Sequence, residues 1–322
     1  MNPTTLSRVW RTAVVAATVL YATTAYAQEF KKTATAGFAF LNIPVSAREA
    51  ATGESGVALF DVGANATFAN PAALGFSDAT HSVAFSYAPW FADVKHYAAA
   101  YQFSSSLGTF ALGATQLDYG TMPRTVVASG NKVFEVVGEF GADALSVNAS
   151  YARALTDRFS FGVTLKYVRE SIDVYDASNA LFDGGVVYFT GFGSLRIAAT
   201  MRNFGVDAKF INDEFKMPST LRLGAAAEVI GDYESDYRLT LMLDASHPNN
   251  ADERVTAGAE FEWMRALAIR GGYKFFYDEE TYSFGVGVSP NLKSAPIRAD
   301  FSYADYGRLG ATTRFTLRVG LK

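Results

Sequence analysis

The feature that most constrains this chain is an alternation of apolar and polar residues, which recurs in short runs from Val83 to the C-terminus. In the final run, one side holds Phe315, Leu317, Val319 and Leu321, and the other holds Arg314, Thr316, Arg318 and Lys322. A period of two is typical of a β-strand whose two faces meet different environments. Bulky apolar side chains on one face and arginines on the other indicate lipid outside and water or polar protein inside.

The alternation predicts a closed barrel, because an open sheet edge would leave backbone N–H and C=O groups unpaired in hydrocarbon. The chain of 322 residues contains no uninterrupted apolar stretch long enough for a transmembrane helix, which needs about 18 residues or more. We therefore expect an all-β fold, a transmembrane antiparallel up-and-down barrel formed by 81–322. Its strand number should be even and near fourteen, within about two.

Charged residues occupy the polar side of many of these runs. They are Arg222, Arg238, Asp244, Glu260, Glu262, Arg270, Lys274, Arg298 and Asp300. On a lipid face, an Arg or Lys near the midplane would cost about 2–4 kcal/mol. These side chains are therefore expected to face the lumen or to lie at the rims.

The connections between the runs alternate in length. Tight connections occur at 104–107, 156–158, 191–193 and 264–266, and long ones at 118–143, 169–180, 203–219 and 245–253. Bacterial outer-membrane barrels have short periplasmic turns and long external loops. The pattern predicts a protein of the cell outer membrane, in contact with its lipid, with the C-terminus in the periplasm.

The first residues have the three parts of a signal peptide. Arg8 and Arg11 form a basic region, 12–22 is apolar, and Ala25-Tyr26-Ala27 is a small-x-small cleavage site. We expect 1–27 to be removed. The whole chain has 28 basic and 32 acidic side chains and a formal net charge of −4, which argues against nucleic acid as a partner.

The segment 28–80 does not alternate, and the simplest interpretation is an N-terminal plug that fills the lumen. Ser46 is placed to cap a short helix. The residues assigned to this plug motif are Ser46, Arg48, Gly53, Gly56, Asn65, Asn70 and Pro71. A disordered periplasmic leader is the alternative, but the segment lacks the charge and low complexity typical of disorder.

These residues also resemble a known family. Ser46-Ala47-Arg48, then Gly53 and Gly56-Val57-Ala58, then Asn70-Pro71-Ala72-Ala73-Leu74, resemble the N-terminal signature of the PorV/PorQ family of FadL-like barrels. Further matches include Gly138-Glu139-Phe140 and Arg270-Gly271-Gly272-Tyr273. The resemblance implies a non-enzymatic outer-membrane protein of type IX secretion. Its implied partners are the translocon and cargo proteins, which are bound through their C-terminal signal domains.

Two functions remain open besides a purely structural barrel. For a secretion protein, the segment 118–143 is the candidate docking loop, with Val126, Val127, Val133 and Phe134 as its apolar residues. The same segment could equally be an extended hairpin that protrudes from the membrane. The alternative function is a FadL-like channel for hydrophobic small molecules such as fatty acids and hydrocarbons. The candidate lining of that channel is Phe38, Phe40, Phe68, Leu74 and Phe76.

The sequence predicts no catalytic residue, no cofactor site and no metal site. The three histidines, His81, His96 and His247, are scattered, and nothing marks an activated serine beside any of them. Asp278-Glu279-Glu280 lacks the ligand spacing of a known calcium loop and is interpreted as a solvated acidic turn.

Overall fold

A computed structural model describes residues 35–127, 133–290 and 296–321. The expected signal peptide, 1–27, lies outside these ranges. No helix within them is both long enough and apolar enough to cross a membrane.

The described residues form a closed barrel of fourteen antiparallel strands, as the alternation predicted. Its wall consists of β1 (His81–Pro89), β2 (Lys95–Ser105), β3 (Gly108–Val127), β4 (Phe134–Ala154), β5 (Phe159–Ile172), β6 (Tyr175–Phe189), β7 (Arg196–Phe204), β10 (Thr220–Ile230), β11 (Tyr237–Pro248), β12 (Arg254–Trp263), β13 (Leu267–Phe275), β14 (Tyr282–Val288), β15 (Ile297–Asp305) and β16 (Ala311–Leu321). A small hairpin of β8 (Ala208–Phe210) and β9 (Asp213–Phe215) lies in the connection between β7 and β10.

The barrel closes where the first strand pairs with the last. The register runs from His81 opposite Leu321 to Tyr87 opposite Phe315. Because cross-strand partners share a face, Phe85 and Leu317 lie side by side on the outside, and Ser86 and Thr316 on the inside. The closure leaves no free wall edge at this seam.

The wall carries apolar side chains on its outer face and charged side chains on its inner face, as predicted. Exposed outward side chains include Phe85, Leu112, Leu165, Leu243, Phe284 and Phe315. The buried inward side chains include Arg222, Arg238, Asp244, Glu260, Arg270, Lys274, Arg298 and Asp300. The expectation that these charges avoid the lipid face is confirmed.

The segment 118–143 is the extended hairpin, not an irregular loop. Strands β3 and β4 remain paired out to Val127 and Phe134. The connection between β5 and β6 is also a hairpin, with Ile172 paired to Tyr175. The periplasmic position of the C-terminus stays a prediction.

Residues 35–80, here called the N-terminal segment, lie against the inner face of the wall. The segment contains one short helix, α1 (Ala47–Ala51), and the 3-10 turns Ala39–Asn42, Gly63–Phe68 and Pro71–Phe76. Its apolar residues pack with inward-facing wall residues in several separate clusters, for instance Val57 and Leu59 with Val187 and Met242. The core of the molecule therefore lies between the segment and the wall.

Candidate functional site: the filled lumen and the external hairpin

A buried ion-pair network joins the N-terminal segment to the wall. Glu260 on β12, only 1% exposed, accepts hydrogen bonds from Arg48 Nε at 2.8 Å and Nη2 at 2.7 Å. It also accepts one from Arg270 Nε on β13 at 2.5 Å. The Arg238 and Arg298 guanidinium groups lie 3.7 and 3.6 Å away. One wall carboxylate thus meets four cations, of which one belongs to the segment.

Arg48 also contacts an acidic partner within the segment. Its Nη1 donates to the Asp61 carboxylate at 2.9 Å. Burial disfavours the Asp61 carboxylate, but Arg48 and Arg238 outweigh burial and hold the pKa of this group well below its usual range. The network therefore remains ionised in the interior, where loss of one partner is costly.

Contacts at both ends of α1 fix the orientation of this helix and direct Arg48 toward the wall. Ser46 caps the helix by accepting a hydrogen bond from the Glu49 backbone N–H at 3.1 Å. The Ala47 N–H donates to Thr316 Oγ1 on β16 at 2.8 Å. After the helix, Gly53 takes a positive φ of 66°, and its N–H donates to Ser283 Oγ on β14 at 3.0 Å. Both ends of the helix are thus attached to the barrel.

A second charged cluster lies beyond α1. Lys274 on β13 forms ion pairs with Glu54 at 2.6 Å and with Glu280. Arg222 on β10 donates to the Glu54 carbonyl and lies 3.6 Å from the Glu49 carboxylate. Arg222 also pairs with Asp244 at 3.3 Å, and Asp244 accepts from the Val57 N–H at 3.0 Å. These contacts extend the attachment to the next part of the segment.

Asn70 and Pro71 form a corner that fits closely into the wall. The Asn70 side chain accepts from the Ala72 N–H at 3.0 Å and donates to the Val57 carbonyl at 2.8 Å. Ser160 on β5 donates to the Ala72 carbonyl at 2.8 Å. A Cβ at Gly162 would lie 2.6 Å from the Pro71 carbonyl oxygen, so only glycine allows this approach. Other wall glycines in close contact with the segment are Gly113, Gly185, Gly224, Gly258, Gly272 and Gly285.

The remaining predicted plug residues are Gly56 and Asn65. Together with Ser46, Arg48 and Asn70 they line a cavity of about 20 Å³ within the segment. A second cavity of similar size lies between the segment and the wall, next to Phe40 and Phe68. Each has room for roughly one or two water molecules. The structure therefore brings the motif residues together through their packing inside the barrel.

The five candidate lining residues of a hydrophobic channel do not surround one space. Phe38 and Phe40 pack with Leu117, Val168, Leu181 and Met217 in one cluster. Phe68 and Leu74 belong to two further clusters, and Phe76 packs against a fourth. Phe40 and Phe68 border the small cavity between the segment and the wall, and Phe38, Leu74 and Phe76 contact protein neighbours in separate clusters.

The hairpin of 119–127 with 133–141 carries the four candidate docking residues, and it is called the external hairpin here because it projects beyond the described barrel wall. Val127 and Val133 are 93% and 85% exposed, and Val126 and Phe134 are exposed as well. Val127 lies directly opposite Phe134, so these two share a face, whereas Val126 lies opposite Glu135 on the other face. Sequence reasoning missed Val136, which is exposed and lies on the same face as Phe134. The signal that could have identified it is the spacing of two residues between Phe134 and Val136.

The base of the hairpin is attached to the neighbouring hairpin. Arg124 Nη2 pairs with Asp173 in the β5–β6 turn at 2.5 Å, and its guanidinium lies over the Phe140 ring. The Asp173 N–H donates to the Gly141 carbonyl at 3.0 Å. These contacts orient the base and leave the outer part, 125–127 with 133–137, projecting freely from the described barrel.

The three histidines have separate environments. His81 bonds Tyr101, His247 bonds Glu253, and the buried His96 accepts from Arg314. Asp93, the acidic residue nearest to His96 in sequence, is exposed in the β1–β2 connection. In the part of the chain that the structure describes, no three histidine or carboxylate side chains are grouped as metal ligands would be.

The family model for the type IX secretion system protein PorV matches residues 26–247 of this chain. No curated protein matches this chain.

Several solved barrels share the fold. The toluene transporter TbuX of Ralstonia pickettii superposes with a TM-score of 0.59 at 15% identity, covering 86% of this chain and 98% of its own. The toluene transporter TodX of Pseudomonas putida gives 0.57 at 12%, covering 85% and 96%. A Pseudomonas aeruginosa FadL homologue gives 0.53 at 12%, covering 87% and 98%. Because the sequence identities are this low, these similarities show a shared fold alone.

Proposed function

This chain belongs to the PorV family of type IX secretion system proteins, and we propose that it is a non-enzymatic outer-membrane barrel that binds secreted cargo. The external hairpin receives the C-terminal signal domain of the cargo. The N-terminal segment closes the lumen, so that the protein acts as a docking platform rather than a pore.

The observation that carries this proposal is the apolar face of the hairpin. Val127, Phe134 and Val136 are exposed on one face of a two-stranded ribbon that nothing else in the described chain covers. Burial of such a surface against a partner contributes about 25 cal/mol per Å² before the costs of association. Exposed apolar side chains grouped in this way are typical of an interaction surface.

The contacts of the N-terminal segment support a closed lumen. Arg48, Glu54 and Val57 are bonded to three different wall strands, β12, β13 and β11. Since each contact involves a buried charge, release of the segment would leave several charges unpaired in the interior. Passage of a solute would require most of these contacts to break together.

The test compares two double variants of the detergent-solubilised barrel. Binding of the isolated C-terminal signal domain of a type IX cargo protein is measured for Val127→Ser/Phe134→Ser and for the control Val206→Ser/Ile211→Ser. The control residues are also exposed but lie in the β7–β10 connection. We expect the first variant to lose at least tenfold in affinity, with both variants retaining heat-modifiable gel mobility. Equal binding by the first variant and the wild type would refute the docking role of the hairpin.

A second candidate function is passage of a hydrophobic small molecule. The observation that favours it is the apolar cluster of Phe38, Phe40, Leu117, Leu181 and Met217 inside the barrel, at the same end as the hairpin. Uptake of toluene or a long-chain fatty acid is compared between cells with and without the barrel. Uptake that depends on the barrel, together with no binding of the cargo domain, would replace the docking function by this one.

A further inference from the structure

The external hairpin has open backbone edges as well as an exposed face. The pairing of β3 with β2 ends at Asp118 opposite Lys95, and that of β4 with β5 ends at Ala142 opposite Ile172. Beyond these points, 119–127 and 134–140 pair only with each other among the described residues. Each strand therefore presents a row of backbone groups that no described strand uses, which is a template for a further strand.

The pairing pattern shows which backbone groups point to the open side of β4. The Gly141 carbonyl accepts from Asp173 N–H, so the polar groups of Gly141 point away from β3. Backbone direction alternates along an antiparallel pair, and the Pro123–Glu139 pair therefore also points outward. Pro123 has no N–H to donate, which agrees with this assignment. Beyond the bulge, the pairs Thr125–Val136 and Val127–Phe134 continue the outward set.

The two edges of the hairpin differ in the backbone N–H groups that they can donate to a further strand. On β3, one of the outward positions is Pro123, which cannot donate and is a common protection of an edge strand. On β4, Phe134, Val136 and Glu139 all keep their N–H groups. The β4 edge is thus the better acceptor of a partner strand.

We propose that the cargo signal domain docks by adding an extended segment to the β4 edge, 134–140, as a new β-strand. This inference rests on the proposed function and adds the mode of binding. The side chains beside the edge define the segment. Phe134 and Val136 supply an apolar face, while the carboxylate of Glu135 is exposed on the opposite face. An incoming strand that alternates apolar and basic residues matches both features.

Hydrogen–deuterium exchange with the cargo signal domain tests the edge directly. On binding, the amides of Phe134, Val136 and Glu139 should become protected, whereas those of Thr121, Thr125 and Val127 on β3 should not change. Protection confined to β3, or binding without any added protection on β4, would overturn the inference. Protection that grows with barrel concentration when no cargo domain is present would assign the edge to a second copy of this chain instead.

A matched pair of proline variants provides the second measurement. Val136→Pro and Thr125→Pro remove one outward N–H each, from opposite edges of the same cross-strand pair. We expect Val136→Pro to weaken binding about tenfold or more and Thr125→Pro to leave it unchanged. Val136→Thr keeps the N–H and changes only the side chain, so it should weaken binding clearly less than Val136→Pro. The amide of Glu135, which points toward β3, reports whether each variant hairpin is intact.

The outcomes separate the two proposals. If Val127→Ser/Phe134→Ser loses the cargo domain but Val136→Pro with an intact hairpin retains it, the edge inference is wrong and the docking role of the hairpin stands. If the wild-type barrel does not bind the cargo domain, both are wrong.

Discussion

A methyl group at Gly272 tests whether the N-terminal segment is held against the wall as the structure places it. Gly272 lies on β13 with its inner side against Thr52 and Gly53, just after α1. A Cβ at Gly272 would lie 2.6 Å from the Thr52 carbonyl oxygen and closer still to the Gly53 nitrogen. Both are backbone atoms, which cannot rotate away as a side chain can. Gly272→Ala must therefore displace this part of the segment.

Overpacking of a well-packed interior costs about 1–3 kcal/mol. The Gly53 N–H, which donates to Ser283 Oγ at 3.0 Å, would lose its bond as the segment moves. Hydrogen exchange of the Gly53 amide should accelerate about tenfold to a hundredfold. Single-channel conductance in a planar bilayer should rise, because the displaced segment no longer fills the same part of the lumen.

The neighbouring glycine supplies the control. A Cβ at Gly271, on the outer side of the same strand, would lie 4.0 Å from its nearest neighbour, the Ser283 carbonyl oxygen. Gly271→Ala should therefore leave exchange and conductance unchanged. Equal behaviour of the two variants would refute the close packing of the segment against β13.

Three further predictions concern the ion pairs, the strand faces and the leader. Glu260→Gln should reduce the stability of the barrel more than Arg48→Met does, because Glu260 meets four cations and Arg48 only two carboxylates. Breaking a buried ion pair costs about 3–5 kcal/mol. Heat-modifiable gel mobility measures both losses. A larger effect of Arg48→Met would contradict this ranking. Leu165→Arg should hinder membrane insertion by about 2–4 kcal/mol, while Lys166→Arg, one residue along and facing Asp183 in the lumen, should insert normally. Similar insertion of both would mean that the strand register is wrong. N-terminal sequencing of the mature protein should show cleavage after Ala27, and a retained leader in the outer-membrane fraction would exclude the proposed signal peptide.

The fold class was predictable because alternation is a local property. Each wall strand must present apolar side chains to lipid and polar ones to the interior, so that Leu165 and Lys166 reveal their faces without knowledge of any other strand. The strand number near fourteen and the inward direction of the charges followed from the same pattern. The glycine-rich middle of β6 gives no such signal, because Gly184 and Gly185 have no side chains to distinguish the faces. The contact of Gly185 with Asn70 in the folded barrel identifies its inner side.

The sequence by itself thus determined a lipid-facing barrel, a non-alternating N-terminal segment and an apolar stretch between β3 and β4. The tertiary structure decided which groups meet. Arg48 and Glu260 are separated by 212 residues in the sequence and are brought into contact by the closed barrel. Nor could the pattern decide between a loop and a hairpin for 118–143, because both faces of a projecting ribbon are exposed and burial no longer sorts its residues. The hairpin is formed by backbone pairing between β3 and β4, which the side-chain pattern of 118–143 does not predict. The same pairing leaves the β4 edge open.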